Sequence, residues 1–138
     1  MSLSRAEILS RFNVWLMAWN EYDLDGVMEL MHEDIVFENW DGSVISGKTA
    51  LTRSWAMWFR HRDFKFVQED LFIDEEAQKI AFTWHLEWPS PEKKYSEKKE
   101  IRRGVDILHL LEGKIDKKNT YSKTILEINS VPVSLCAV

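Results

Sequence analysis

The sequence predicts an α+β domain, with helices gathered toward the N-terminal end and a mostly antiparallel sheet after them. Three observations predict it. Up to about Arg60 the dominant apolar spacing is three and four residues, the period of a helix. From Phe64 onward the spacing becomes two, with β-branched and aromatic residues and short turn signals between runs. Strand and helix do not alternate in the second half, which excludes a parallel βαβ sheet. With 138 residues, 45% of them hydrophobic, and 17 aromatic side chains, the chain has material for one core and no need of a staple. No repeat, linker or low-complexity tract divides it, so residues 1–138 read as a single domain.

In the first helix, Ser4 to Tyr22, Ile8, Phe12, Trp15 and Trp19 form one apolar stripe, and Ser4 with Glu7 forms a capping box. Asp23 caps a second helix, Leu24 to Met31, that presents Val27, Leu30 and Met31. A strand follows from Asp34 through Trp40, then the turn Asp41-Gly42 and a short strand, Ser43–Ser46. A third helix runs from Gly47 to about Arg60, striped by Leu51, Trp55, Trp58 and Phe59. Four strands complete the chain: Phe64–Ile73, Lys79–Trp88, Glu100–Leu111 and Lys114–Ile125. Their connections are Asp74-Glu75-Glu76, Pro89–Glu97 and Glu112-Gly113.

Composition removes several function classes. Cys136 is the only cysteine, so no internal disulfide forms, and no Cys/His spacing fits zinc; no metal and no cofactor is expected. Formal net charge is −5, and the 18 basic residues are dispersed except at Lys93–Lys99 and Lys117-Lys118. That dispersal argues against a nucleic-acid partner. The N-terminal segment lacks the uninterrupted apolar run of an export signal, and no stretch approaches the roughly 20 residues that span a bilayer, so a cytoplasmic protein with no membrane partner is expected.

Alternation along a strand assigns faces. Phe82, Trp84, Leu86 and Trp88 share a face that should look inward, opposite Thr83, His85 and Glu87. In the next strand Arg102, Gly104, Asp106, Leu108 and Leu110 share one face; Arg103, Val105, Ile107 and His109 share the other. Both are partly apolar, so a homodimer through the outer sheet face is expected, with the apolar tail Val131–Val138 adding to it.

Four segments appear in this order: Ala18 to Gly26 (AWNEYDLDG), Asp34 to Gly42 (DIVFENWDG), Ser46 to Leu51 (SGKTAL) and Val105 to Ile115 (VDILHLLEGKI). Over about residues 4 to 125 they resemble the NTF2-like superfamily, and within it the SnoaL-like polyketide cyclase and ketosteroid isomerase-related branch. The resemblance implies a cystatin-like cone, in which a curved sheet wraps the first helix and leaves a cavity open at one end. It also implies that function must be read from the cavity, because the scaffold hosts isomerases, cyclases, epoxide hydrolases and proteins without catalysis.

Against the isomerase pattern, the general-base aspartate falls at Asn39 and the first-helix tyrosine at Trp15, neither of which shuttles a proton near neutral pH. The third group is matched by Asp106, at the position where that enzyme keeps a carboxylic acid protonated; ketosteroid isomerase is the standard worked case of such tuning. The epoxide hydrolase pattern wants an arginine where Gly104 stands. The cyclase pattern wants an acid on the last strand, within Lys117–Lys123, which has none.

Independently of the family, Asp106 is the only acid between Gly104 and Leu111, where an unpaired charge is costly. Two readings stay open. Asp106 is a hydrogen-bond donor or general acid facing a ligand, or it is a bland partner of Arg102 or an outward-facing acid. Trp15, Trp19, Phe37, Trp40, Trp55, Phe59 and Trp84 are expected to line a cavity for a flat apolar ligand, with Asn39 and Tyr121 as polar contacts. His32, His61, His85 and His109 show no metal spacing. The resulting expectation is a protein that binds a small, mostly apolar molecule, an aromatic or polycyclic carbonyl compound. It would act by cofactor-free proton transfer, or as a non-catalytic ligand-binding or dimeric module.

Overall fold

A computed structural model describes residues 1–135. Its order is α1 (Arg5–Asn20), α2 (Leu24–Glu29), β1 (Met31–Glu38), β2 (Val44–Ser46), α3 (Lys48–His61), β3 (Lys65–Asp74), β4 (Lys79–Pro89), a 3-10 turn (Lys93–Tyr95), β5 (Lys99–Leu111), β6 (Lys114–Ser122), β7 (Ile125–Ile128) and β8 (Val131–Ser134). The strands form one mixed, strongly curved sheet in the order β2-β1-β6-β5-β4-β3, with the β7–β8 hairpin attached to β5. Every pairing is antiparallel except β1 with β6. The expected α+β class and its three helices are present.

The local signals act as their chemistry dictates. Glu7 N–H donates to Ser4 Oγ at 3.2 Å and Ser4 N–H to Glu7 Oε1 at 3.0 Å, the reciprocal bonds of a capping box. Gly26 N–H donates to Asp23 Oδ1 at 3.0 Å, capping α2. The α1 stripe of Ile8, Phe12, Trp15 and Trp19 is buried and faces the inner sheet; Phe12 and Phe82 rings meet edge-on at 5.0 Å. Arg11 Nη1 donates to Gly113 O at 2.8 Å and ties the far end of β5–β6 to the helix. As alternation required, Phe82, Trp84 and Leu86 are buried on that inner face together with Ile80, while Trp88 is half-buried.

The last expected strand differs from the observed one. Lys114–Ile125 is two strands, because the chain leaves the β5–β6 ladder after Ser122 and Ile125–Ile128 pairs instead with Glu100 and Ile101. Asn129 and Ser130, both at positive φ, then turn the chain into β8. Val131–Ser134 is therefore a sheet strand and not a loose tail; Cys136 and the end of the expected tail lie outside the described residues. Among the described residues no helix is long and apolar enough to cross a membrane, and no group of three His, Cys, Asp or Glu could hold a metal ion.

Candidate functional site

Asp106 sits on the inner face of β5, 3% exposed, with both carboxyl oxygens engaged. Trp84 Nε1 donates to Oδ1 at 3.0 Å, and Lys118 Nζ stands 2.6 Å from Oδ2. The lysine also donates to Thr120 Oγ1 at 2.9 Å. Register explains the cluster: Asp106 pairs across the ladder with Thr120 and Leu108 with Lys118, so all three side chains fall on one side of β5–β6. One carboxyl oxygen thus accepts from an indole N–H and the other forms a buried ion pair with a lysine.

Asp106 faces inward and not outward, and its ion-pair partner is Lys118, not Arg102. Four residues along a strand span about 13 Å, beyond the reach of one guanidinium. Arg102 instead binds Glu100 at 3.0 Å through Nε and at 3.2 Å through Nη2, and Glu92 at 2.8 Å. Glu100 also accepts from Ser90 Oγ at 2.9 Å and from Trp88 Nε1. The Arg102 guanidinium lies 4.4 Å over the Trp40 ring. This second buried cluster therefore fixes Trp40 and Trp88.

Gly104 has a local task in the same site. It pairs with Trp84 across β4–β5. A Cβ at Gly104 would stand 2.5 Å from Trp84 Cζ2 and 2.1 Å from Tyr121 O. Only a glycine lets the indole lie across β5 while its Nε1 reaches Asp106.

Lys118 is 6% exposed, and its ammonium lies over three aromatic faces, at 4.7 Å from the Phe37 centroid, 5.7 Å from Trp55 and 5.9 Å from Trp19. Around it opens a cavity of about 250 Å³ lined by residues of α1, α3, β1–β6 and the β1–β2 turn. Six of the expected contacts line this cavity with Asp106: Trp19, Phe37, Asn39, Trp40, Trp55 and Trp84. Trp15 lines a neighbouring void of about 20 Å³, room for one water, which also touches Asp106 and Lys118. Phe59 is core, stacked on Trp55 and packed against Trp19. Tyr121 is corrected: at 49% exposure it lies on the outer face, since β6 alternation sends it opposite to Thr120.

Lys118, Thr120, Trp58, Phe66 and Trp88 also line the cavity and were missed by sequence reasoning. Trp58 and Trp88 were already on the inward stripes, so their signal was present. The lysine carried no such signal, because Ile115 and Lys118 are both buried on β6 although their spacing is odd. Asp116 is an extra residue between the pairs Leu110–Ile115 and His109–Lys117, a bulge that reverses the alternation.

Three buried indole N–H groups, those of Trp15, Trp19 and Trp58, have no hydrogen-bond partner. Two of them, Trp19 and Trp58, belong to the wall of the larger cavity. A buried donor left unpaired costs about 1–3 kcal/mol, and an acceptor brought by a bound molecule would offset it once the indole turns its N–H toward the cavity.

Comparison with known proteins gives a family and a fold. The model of the SnoaL-like domain matches residues 13–117. A search of curated protein sequences finds no match. Among solved structures, an NTF2-like protein of unknown function from Mesorhizobium loti is 18% identical with TM-score 0.70, covering 89% of this chain and 97% of that one. SalBIII, described as an epoxide hydrolase/cyclase-like enzyme in pyran ring formation in the polyether salinomycin, is 17% identical with TM-score 0.74, over 87% and 93%. A Mycobacterium tuberculosis protein in complex with estradiol-17beta-hemisuccinate is 22% identical with TM-score 0.69, over 83% and 92%. At such identities the solved structures establish fold alone. The match over most of its length, on this fold, makes the chain a member of the SnoaL-like family within the NTF2-like superfamily.

Proposed function

We propose that the protein binds a small, flat, mostly apolar molecule bearing an oxygen acceptor, an aromatic or polycyclic carbonyl compound, in the cavity between α1, α3 and the inner sheet face. The observation that carries this is the pair of unpartnered indole donors, Trp19 and Trp58, in a wall rich in aromatic rings. Such a wall favours a flat apolar body, and the two N–H groups favour an acceptor on it. Asp106 and Lys118 neutralise each other, so the ligand needs no formal charge. The steroid hemisuccinate held by the Mycobacterium tuberculosis neighbour is compatible with a ligand of this type.

The chemistry assigned to the site is proton transfer without a cofactor. Lys118 replaces a neutral Asp106 as the group that donates toward a carbonyl oxygen, and the Asp106 carboxylate is the base that takes a proton from the adjacent carbon. Asn39, in the cavity wall, adds a polar contact to the ligand. A second reading, binding without turnover, draws on the closeness of the ion pair, which satisfies both charges before any ligand arrives.

Titration with 2-acetylnaphthalene tests binding and turnover together. Saturable quenching of tryptophan fluorescence is expected, with protein-dependent deuterium uptake at the methyl group in D2O that Asp106→Asn abolishes. Quenching without uptake would leave binding alone, and absence of quenching would overturn the proposal. We further infer a homodimer through the outer face, where Val105, Ile107 and the exposed Tyr121 are in reach of a second copy. Sedimentation at the mass of one chain would contradict it.

A further inference from the structure

We propose that Lys118 is a nucleophilic amine that forms an imine with an aldehyde or ketone held in the cavity. The step rests on the ligand-binding reading above and adds a covalent bond to it. Among the described residues, Lys118 is the lysine whose amine is buried inside the aromatic cavity; its neighbour Lys117 is exposed on the outer face. An amine enclosed by apolar walls, with a carboxylate at hydrogen-bond distance, has the surroundings in which lysine serves as a carbonyl nucleophile.

The geometry supplies each proton movement. The ammonium hands a proton to Asp106 Oδ2, 2.6 Å away, which leaves a neutral amine and a neutral acid. The Nζ lone pair forms a bond to the carbonyl carbon, and the carbonyl π pair moves to oxygen, which takes the proton back from Asp106. The nitrogen then releases a second proton to the same carboxylate, giving the carbinolamine. Asp106 returns that proton to the hydroxyl, which leaves as water while the nitrogen lone pair closes the C=N bond. The balance is one ammonium and one carbonyl giving one iminium and one water, with Asp106 restored and nothing oxidised or reduced.

The product fits the charge pattern already present. The iminium carries the same single positive charge as the ammonium, opposite the Asp106 carboxylate. It stays over the faces of Phe37, Trp55 and Trp19, which favour a cation at that point. Thr120 Oγ1, 2.9 Å from Nζ, is an acceptor for the remaining N–H. Asp106 and Lys118 also touch the void of about 20 Å³ behind them, which has room for the released water.

Reductive trapping tests the inference. The wild-type protein is treated with naphthalene-2-carboxaldehyde and cyanoborohydride and then digested, and fragment spectra distinguish Lys118 from Lys117. The expected result is an adduct on Lys118, of the mass of the aldehyde less one oxygen. Saturating methyl 2-naphthoate, which has the same ring and forms no imine, is expected to suppress it. Asp106→Asn is expected to lose the Lys118 label while exposed lysines keep theirs, and Lys118→Arg, which keeps the charge, is expected to lose it entirely. Labelling confined to Lys117 and other exposed lysines, while the ester still quenches tryptophan fluorescence, would overturn the imine and leave the binding reading intact. A Lys118 adduct that the ester does not suppress would also contradict it. If neither compound quenches and Lys118 stays unlabelled, both readings fall.

Discussion

The Lys118 ammonium stands 2.6 Å from Asp106 Oδ2 with both side chains almost wholly buried, which makes this pair the polar centre of an aromatic interior. Breaking a buried pair from one side strands a charge, at a cost of about 3–5 kcal/mol, whereas replacing both partners by apolar groups of similar size is far less damaging. Asp106→Leu and Lys118→Met are each expected to destabilise the protein by about that amount, and the double variant by much less. Urea unfolding of the three proteins gives the coupling; additive losses would mean that the charges do not meet.

Gly104→Ala tests how Trp84 reaches the pair. The added methyl would overlap both the indole and the Tyr121 carbonyl, so a loss of about 1–3 kcal/mol is expected, with displacement of the Trp84 ring. The Trp84 indole N–H resonance should move upfield as its bond to Asp106 lengthens. An unshifted resonance would show that β5 yields at the strand instead.

Trp58→Phe keeps a flat ring and removes a buried N–H without a partner. Stability should stay the same or rise, while affinity for an aromatic ketone falls by roughly three- to ten-fold, the equivalent of one neutral hydrogen bond. Fluorescence titration of the variant measures it. Tyr121→Ala, on the outer face, should leave that affinity unchanged.

His109 links the outer sheet face to pH. Partial burial first, and then the Lys79 and Lys117 ammoniums, hold its imidazole below its ordinary value of 6.5, with Asp116 opposing them. Since the folded value is the lower one, the unfolded chain takes up its proton first. Stability is therefore complete above about pH 6.5 and declines below it, down to the folded value. Imidazole NMR should give a His109 midpoint under 6.5, and His109→Gln should flatten the stability profile between that midpoint and 6.5.

Much of this architecture could be read along the chain, because its local signals agree with the global fold. The Ser4–Glu7 box, the Asp23 cap and the alternation through Phe82, Trp84 and Leu86 each point the same way as the final packing. Asp106 was legible as an acid among apolar neighbours. Its partner was not, since strand period 2 places Lys117 and Lys118 on opposite faces and only the bulge at Asp116 decides which is inside. The β7–β8 hairpin was hidden because its turn residues, Asn129 and Ser130, sit in an apolar stretch that reads as a tail.

The most direct measurement of the central claim is a two-dimensional NMR titration of the tryptophan indole N–H groups with methyl 2-naphthoate. Trp84 and Trp88 already donate to Asp106 and Glu100, whereas Trp19 and Trp58 have no partner. An acceptor-bearing ligand in the cavity should move the Trp19 or Trp58 N–H resonance downfield saturably, and much further than that of Trp88. If both stay in place at saturating ester, or if only exposed groups respond, the cavity is not where the ligand binds.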